Sequence, residues 1–278
     1  MTSTILIPSS VVREATDKRD ATRKLGTIAR AATIFGIDHI GVFTDPAGEG
    51  RWGAPFITRV LRYAATPASD RMRRWDIHED LEFAGVLPPM QPSAEAGSGS
   101  QGPGSLIDGI VTEVGSEGRV WVNCDLQHPL ALIAPPEVGP VDEGDRVTIR
   151  ISSRDPLQAR IVQRAPATFA VETATLPELL QRPDAGVCIA TSRHGTPLTQ
   201  AHLATLTTAI AEDGMTVVFG APGRGLLAMA DADPDALSAG MSPLGVDHWL
   251  RSIPRQHTEV VRTEEAVMAT LACLAIME

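Results

Sequence analysis

The stretch LGTIARAATIFGIDHIGVF, residues Leu25–Phe43, decides the fold class of this chain. Its first part carries apolar residues at helical spacing, and Gly36 ends the helix before an apolar run from His39 to Phe43. Another short apolar run, Thr4 to Pro8, stands before the helix. The order strand, helix, strand predicts an α/β fold with a mostly parallel sheet.

The same alternation continues on both sides of this stretch. The segment after Pro55 has helical spacing as far as Pro67, and an arginine-rich helix is predicted over Arg71–Phe83. Nearer the C-terminus we predict three helices and two strands, at Leu176–Gln181, Val187–Thr191, Pro197–Glu212, Thr216–Gly220 and Thr263–Met277. The first and last thirds are therefore predicted to form one domain, with helices on both faces of its sheet.

The middle of the sequence has a different composition. Pro88 to Gly104 is rich in Pro, Gly and Ser, which predicts a linker. Five short β-branched runs follow, which predicts a small β-barrel, and EGDRVTIRI resembles the turn and strand of oligonucleotide-binding (OB) folds. An inert spacer domain explains this segment equally well. The predicted parts are residues 1–88, a linker at 89–104, an inserted OB-like barrel at 105–164, and residues 165–278.

Charge is distributed unevenly along the chain. The net charge of −10 does not by itself favour a nucleic-acid binder, because phosphate binding needs a basic surface. Residues 1–75, however, contain ten arginines and two lysines against seven acidic residues, a net +5 that leaves −15 for the remainder. A basic face in an acidic protein is one interpretation, and arginines that keep helix surfaces soluble are the other.

Cysteine spacing, hydropathy and motifs argue against several classes of protein. Cys124, Cys188 and Cys273 lie far apart with no CxxC, so neither a disulfide framework nor a zinc knuckle is predicted. The sequence has no long apolar run and no signal peptide, which predicts a cytoplasmic protein without a membrane span. HExxH and GxSxG are both absent, so we expect no metal site and no serine hydrolase.

A glycine-rich loop, FGAPGRGL at Phe219–Leu226, follows a predicted strand. It is not a P-loop, because Gly225 is followed by Leu226 rather than Lys, and it does not match GxGxxG. A nucleotide-binding or redox α/β protein is therefore disfavoured. Parallel sheets bind ligands at the carboxyl ends of their strands, although a tight structural turn explains this loop as well.

Two segments resemble a known family. Leu25–Phe43 resembles the first motif of the trefoil-knotted SPOUT methyltransferases. The matching positions are Gly26, Arg30, Phe35 and Gly36. Lys24 stands where many members have Asn, and Arg251–Leu274 resembles the motif that closes the knot. With Thr191–Thr199 and Val261–Ala266, the resemblance narrows to the archaeal and eukaryotic branch of RNA uridine N3-methyltransferases with an inserted barrel. It covers essentially the whole chain.

The resemblance implies S-adenosylmethionine as the cofactor, held in the knot mainly by backbone groups of three loops. Those loops correspond to residues 191–193, 219–226 and 253–263. The implied cofactor-binding residues are Thr191, Gly220, Gly225, Leu226, Ile253, Pro254, Thr258, Val261 and Thr263. The glycines and the proline among them let the chain turn tightly and approach the adenine closely.

The resemblance also implies a catalytic residue. Arg30 is the leading candidate, because its counterpart in the family faces the target nucleoside and a guanidinium stabilises developing negative charge. Arg262 and Glu264 are weaker candidates, and Arg262 stands where the wider superfamily often has Asn. Uridine N3 and a ribose 2′-OH both stay open as methyl acceptors.

RNA and a second copy of the chain are the implied partners. The implied RNA-binding residues are Arg71, Arg73, Arg74 and Arg193. A homodimer is expected because SPOUT domains usually complete each active site with a neighbouring subunit, and the last helix carries an apolar stripe of Val267, Leu271 and Leu274. The RNA is an rRNA or a tRNA. The alternative is a non-catalytic RNA-binding assembly factor with the same fold.

Overall fold

The computed structural model describes residues 2–67, 71–72, 74–90, 106–124, 128–139, 141–143, 145–154, 157–164, 168–240 and 242–275. Arg73 and the predicted linker from residue 91 onward lie outside the described residues. The chain divides into two compact units. The first contains Met1–Ala65, Ile77–Met90 and Thr168–Glu278, and the second contains Thr66–Asp76 and Gln91–Ala167.

Strands and helices are numbered in chain order over the described residues. The strands are β1 (Ser3–Pro8), β2 (His39–Phe43), β3 (Leu106–Val114), β4 (Arg119–Asn123), β5 (Leu130–Ile133), β6 (Arg146–Arg154), β7 (Leu157–Arg164), β8 (Ala170–Ala174), β9 (Val187–Pro197), β10 (Met215–Val218) and β11 (His248–Arg251). The helices are α1 (Lys18–Ile34), α2 (Ala54–Ala65), α3 (Leu176–Leu180), α4 (Gln200–Asp213), α5 (Leu226–Met229), α6 (Pro234–Ser238) and α7 (Thr263–Leu274).

The first unit is built on a six-stranded sheet in the order β11-β9-β10-β1-β2-β8. Every neighbouring pair in this sheet is parallel. The predicted α/β fold with a mostly parallel sheet is confirmed. Because all six strands run in the same direction, their carboxyl ends meet at one edge of the sheet.

Helices cover both faces of this sheet. Alternate residues of β1 point to opposite sides, so that Ile5 and Ile7 enter one core cluster and Leu6 enters the other. Helices α1, α2, α4 and α7 pack in the first cluster, and α3 and α5 pack in the second. Burial on both faces is what allows a parallel sheet to consist of nearly continuous apolar runs.

The apolar stripe of α7 is used inside this unit. Val267, Leu271 and Leu274 are at most 1% exposed and belong to the first core cluster, where α7 packs against α1. The stripe is therefore buried within the unit and is not available as the homodimer surface that was expected from the sequence. The packing instead fixes the start of α7 relative to α1.

The predicted arginine-rich helix over Arg71–Phe83 is wrong. Residues 71, 72 and 74 are helical, but the chain leaves the helix at Trp75, whose indole N–H donates to Thr66 Oγ1 at 3.0 Å. A separate 3-10 helix, Glu79–Leu81, begins where the His78 ring accepts a hydrogen bond from the backbone N–H of Asp80. Local side-chain bonds to the backbone thus replace the continuous helix.

The second unit contains a five-stranded antiparallel sheet in the order β5-β4-β3-β6-β7. Its core is apolar, with Val122, Val147 and Ile149 fully buried. In the described part of this unit the edge strands β5 and β7 do not pair with each other. The predicted closed, OB-like barrel is therefore not confirmed, and an antiparallel five-stranded sheet stands in its place.

The predictions about membranes, metals and thiols concern the same described residues. They include no helix that is both long and apolar enough to cross a membrane. They also contain no group of three or more His, Cys, Asp or Glu side chains placed to hold a metal ion. All three cysteines are free thiols. A cytoplasmic location and the absence of a metal remain predictions.

Candidate functional site

A cavity of about 400 Å³ lies at the carboxyl edge of the parallel sheet. Three segments supply most of its lining: residues 191–194 of β9, residues 219–228 after β10, and residues 251–266 between the end of β11 and the first turn of α7. Ala232 and Pro234 complete it. Most of the lining is apolar. Parallel sheets bind small ligands in cavities of this size and polarity at their strand ends.

Strand β9 changes its pairing where it reaches the cavity. It pairs with β10 as far as Ala190, and its ladder with β11 resumes only at Thr196, opposite Leu250. Residues 191–195 therefore form a bulge, which re-aims side chains at this edge of the sheet. The Thr191 hydroxyl fixes the start of the bulge by donating to the Val218 carbonyl at 2.9 Å. A strand that ends at Thr191 was predicted, and the structure replaces that end with a bulge.

The loop after β10 is a tight turn. Ala221 and Arg224 exchange backbone hydrogen bonds of 3.0 Å around Pro222 and Gly223. Gly223 has a φ of +70°, which L side chains rarely adopt. The glycine-rich loop is thus a turn that places its backbone against the cavity.

Gly220 holds this loop close to the start of α5. A Cβ at Gly220 would lie 3.0 Å from Gly225 Cα and 3.1 Å from Leu226 N, both of them backbone atoms. The Gly220 carbonyl also accepts a 2.7 Å hydrogen bond from the buried Thr263 hydroxyl at the start of α7. Two of the lining segments are therefore joined directly to each other.

Positive charge dominates the polar part of the lining. Its formally charged side chains are Arg193, Arg224, Arg251 and Glu259. Arg193 Nε donates to His194 Nε2 at 3.1 Å, and Arg224 Nε lies 3.1 and 3.2 Å from the two carboxylate oxygens of Asp45. Arg251 Nε is buried and has no hydrogen-bond partner among the described residues. Buried donors are nearly always satisfied, so Arg251 is the exception at this site.

A buried polar cluster holds Arg224 in place. Asp45, which follows β2, is 5% exposed, and its Oδ2 accepts a 2.6 Å hydrogen bond from Ser10 Oγ. Its backbone N–H donates to Ser9 Oγ at 2.8 Å, and both serines are fully buried. Charge-assisted bonds to a fixed carboxylate restrict a guanidinium to one geometry. Arg224 therefore reaches the cavity from a fixed position.

A second buried cluster of charges joins α1 to α7. Lys24 is 5% exposed, its Nζ lies 3.6 Å from Glu264 Oε1, and it also binds Glu14 Oε1. Glu264 is 7% exposed, and its Oε2 has no hydrogen-bond partner among the described residues. Thr263 and Ala266, on the same turn of α7, line the cavity. An acceptor without a protein partner thus lies on the helix turn that borders the cavity.

Most of the predicted cofactor-binding residues line the cavity. Six of them are among its lining residues: Thr191, Gly220, Gly225, Ile253, Val261 and Thr263. Leu226 instead opens α5 and is buried in the second core cluster. Pro254 and Thr258 are exposed and outside the lining. Cofactor binding by all nine residues stays a prediction.

The predicted catalytic residues lie outside the lining. Arg30 is half-buried on α1, and its Nη1 donates to the Pro89 carbonyl at 2.9 Å. Arg262 is exposed, and its backbone N–H donates to Glu265 Oε2 at 2.9 Å, which starts α7. Glu264 is buried on the turn of α7 whose residues Thr263 and Ala266 line the cavity.

The predicted RNA-binding arginines are divided between the two units. Arg71 and Arg74 belong to the second unit, where Arg71 Nε donates to the Thr66 carbonyl at 3.0 Å. Arg73 lies outside the described residues. Arg193 belongs to the first unit, is exposed, and lines the cavity.

Three polar residues of the site were missed by sequence reasoning. Asp45 comes just after the apolar run HIGVF, and Arg251 comes just after the apolar pair WL, so both stand at the carboxyl end of a strand. That position is the signal that identifies them in a parallel sheet. Arg224 lies in the glycine-rich loop 219–226, for which the resemblance implies contacts mainly through the backbone, so its side chain was not predicted as part of the site.

Comparisons with known proteins identify the family of this chain. A family model described as "Putative RNA methyltransferase" matches residues 2–274. A protein of Halobacterium salinarum is 54% identical over 284 residues, covering 100% of both chains. The human 28S rRNA (uridine-N(3))-methyltransferase is 27% identical over 313 residues, covering 98% of this chain and 77% of the relative. TrmJ from Z. mobilis superposes with a TM-score of 0.40 at 12% identity over 100% of this chain and 70% of TrmJ, a likeness too low to add to the assignment.

Proposed function

This chain belongs to the RNA methyltransferase family that it matches over residues 2–274, and from that premise we propose that it methylates N3 of a uridine in ribosomal RNA. As a family member it is an S-adenosylmethionine-dependent RNA methyltransferase. The choice of uridine N3 is supported by the human and mouse relatives, whose names give this nucleotide and position. A ribose 2′-OH is the alternative acceptor.

The cavity is the observation that carries the proposal, because its lining fits S-adenosylmethionine. About 400 Å³ of mostly apolar space suits one nucleoside joined to one amino acid. Gly225 lines the cavity, and a Cβ there would meet nothing within 4 Å, so its backbone is open to the ligand space. A glycine backbone exposed in this way can approach a planar base closely. We propose that Gly220, Gly225, Ile253 and Val261 hold the adenosine part.

S-adenosylmethionine, when bound, supplies an electrophilic methyl group on a sulfonium. The residues of this chain must then position the uracil and remove the proton from its N3. We propose that Glu264 Oε2 accepts this proton, because it has no hydrogen-bond partner among the described residues and Lys24 Nζ lies 3.6 Å from the other carboxylate oxygen. The new bond is N3–CH₃, and the sulfur leaves with the electron pair of its former methyl bond.

Arg30 and Arg262 are proposed to assist this step. Loss of the N3 proton leaves negative charge on the uracil, and a guanidinium stabilises such charge. Arg30 Nη1 donates a hydrogen bond to the Pro89 carbonyl. A guanidinium has five N–H donors, and we propose that others among them bind the nucleotide. Arg262 is exposed and lies two positions before Glu264 in the sequence, and it is proposed to contact the same nucleotide.

RNA binding is proposed to involve both units. The basic segment that contains Arg71, Arg73 and Arg74 contributes phosphate contacts, and Arg193 contributes one at the cavity. The five-stranded sheet of the second unit is proposed to act as an OB-like surface for single-stranded RNA. The trefoil knot and the homodimer are carried over from the family resemblance as part of this proposal.

A non-catalytic assembly factor is the competing function. Calorimetric titration of the full chain with S-adenosylmethionine, ATP and NADH first distinguishes a methyltransferase from an assembly factor. We expect binding of S-adenosylmethionine at micromolar affinity and none of the other two. Binding of NADH or ATP in its place would contradict the proposed cofactor, and RNA binding with no cofactor binding would support the assembly factor.

A further inference from the structure

We propose that Arg251 is the receptor for the carboxylate of the methyl donor's methionine part. The inference rests on the proposed function, because it assigns one end of the donor within the same cavity. Nothing in the sequence motifs singles out this residue. The structure identifies it by a contrast between the three arginines that line the cavity.

The contrast lies in what each Nε binds. Arg193 Nε is bonded to His194, and Arg224 Nε is bonded to both oxygens of Asp45. Arg251 Nε is withdrawn from solvent and has no partner in the described part of the chain. An arginine is always charged and has no acceptor atoms, so an unsatisfied buried N–H on it can only be satisfied by an incoming acceptor.

The part of the chain that the structure describes offers no anion to Arg251 Nε. Glu259, the acidic residue of the lining, is exposed and is not bonded to Arg251 Nε, which has no partner among the described residues. The neighbouring Ser252 hydroxyl is already bonded to Thr270 Oγ1 at 2.7 Å. The missing partner of Arg251 therefore comes from the ligand.

Two anions could fill this position, a carboxylate of the donor or a phosphodiester of the RNA. The buried Nε and the size of the cavity favour the carboxylate. A cavity of about 400 Å³ accommodates a small ligand, whereas an RNA backbone is too large to reach a buried Nε inside it. Arg251 also stands at the end of β11, on the segment that leads to Ile253 and Val261. One segment would then hold both ends of the donor. A planar guanidinium matches a carboxylate in geometry.

The test compares two ligands on the full-length protein. Calorimetry would measure the affinity of S-adenosylhomocysteine and of its decarboxylated analogue, which keeps the amine. We expect the wild type to prefer the ligand with the carboxylate by about 10- to 100-fold, the range for a charge-assisted bond. In Arg251→Gln this preference should fall below about threefold, while affinity for the analogue stays the same.

Two further variants separate the role of Arg251 from a loss of folding. Arg251→Lys keeps the charge and should recover part of the preference. Arg19→Gln changes an exposed arginine on α1 that does not line the cavity, and should keep the full preference. An equal loss of both ligands in Arg251→Gln would make Arg251 structural and overturn the inference.

A measurement with RNA distinguishes a donor carboxylate from an RNA phosphate as the partner of Arg251. Filter binding of total rRNA should give the same affinity and salt dependence for wild type and Arg251→Gln. A weaker RNA complex with an unchanged preference between the two small ligands would assign Arg251 to a phosphate and overturn the proposal. If wild type binds neither small ligand, the proposed function itself fails, which is a different result from a lost preference.

Discussion

The hydroxyl of Thr263 donates a 2.7 Å hydrogen bond to the carbonyl of Gly220, joining the first residue of α7 to the loop after β10. Both residues line the cavity, and Thr263 is 2% exposed. The two residues are 43 positions apart in the sequence. Their contact fixes the distance between two walls of the site.

Thr263→Val should weaken donor binding without unfolding the protein. The change keeps the shape of the side chain but removes the hydrogen bond from the buried Thr263 hydroxyl to the Gly220 carbonyl, at a cost of about 1–2 kcal/mol. Thermal unfolding and calorimetry with S-adenosylhomocysteine measure the two effects. Thr205→Val, at an exposed position on α4, is the control and should change neither. Unchanged affinity in Thr263→Val would show that this bond does not shape the cavity.

Gly220→Ala should reduce donor affinity by about tenfold or more. The new Cβ would meet backbone atoms of Gly225, Leu226 and Arg224 at 3.0 to 3.2 Å, so the loop has to move. Gly85→Ala is the control, because a Cβ there meets nothing within 4 Å. Calorimetry on both variants measures the effect, and wild-type affinity in Gly220→Ala would remove the loop from the donor site.

Lys24→Met should destabilise the first unit by about 3–5 kcal/mol, because it leaves the Glu264 carboxylate buried without a counter-ion. Lys18→Met removes the more exposed pair with Glu82, 3.8 Å apart, and should cost less than about 1 kcal/mol. Denaturant unfolding measures both. The double variant Lys24→Met, Glu264→Gln should recover much of the loss. No recovery would mean that the two side chains do not act as a pair.

Arg30→Ala should lower methyl transfer by about 100-fold or more while RNA affinity stays close to wild type. Arg30→Lys keeps the charge but not the planar fork, so it should recover only part of the rate.

Neutralising Arg71, Arg73 and Arg74 together should weaken RNA binding and reduce its dependence on salt. Rate and filter-binding measurements are made on the same preparations. Equal losses of binding and rate in Arg30→Ala would make Arg30 a docking residue.

The central strands of the sheet were predictable, and its edges were not. Strands β1, β2 and β10 are buried on both faces, so their sequences are apolar runs. The edge strands β8 and β11 are short and only partly buried, and AVETA and HWLR carry no such run. Residues on an edge strand owe their position to the neighbouring strand rather than to their own pattern.

The cavity was predictable only in part, because some of its residues follow an edge strand that has no apolar run to identify it. The glycine-rich loop follows a recognisable strand, so Gly220 and Gly225 could be placed at its end. Arg251 lies at the end of the unrecognised β11, and the contact of Lys24 with Glu264 joins residues at opposite ends of the sequence. Only the packing of α1 against α7 brings those two charges together.

The identity of the methylated nucleoside tests the proposed uridine N3 activity most directly. Ribosomal RNA from a strain lacking this protein should be incubated with the purified protein and isotope-labelled S-adenosylmethionine, digested to nucleosides, and analysed by mass spectrometry. We expect labelled 3-methyluridine with the wild type and none with Glu264→Gln. Label in a 2′-O-methylated nucleoside, or no label in any nucleoside, would contradict the proposed activity.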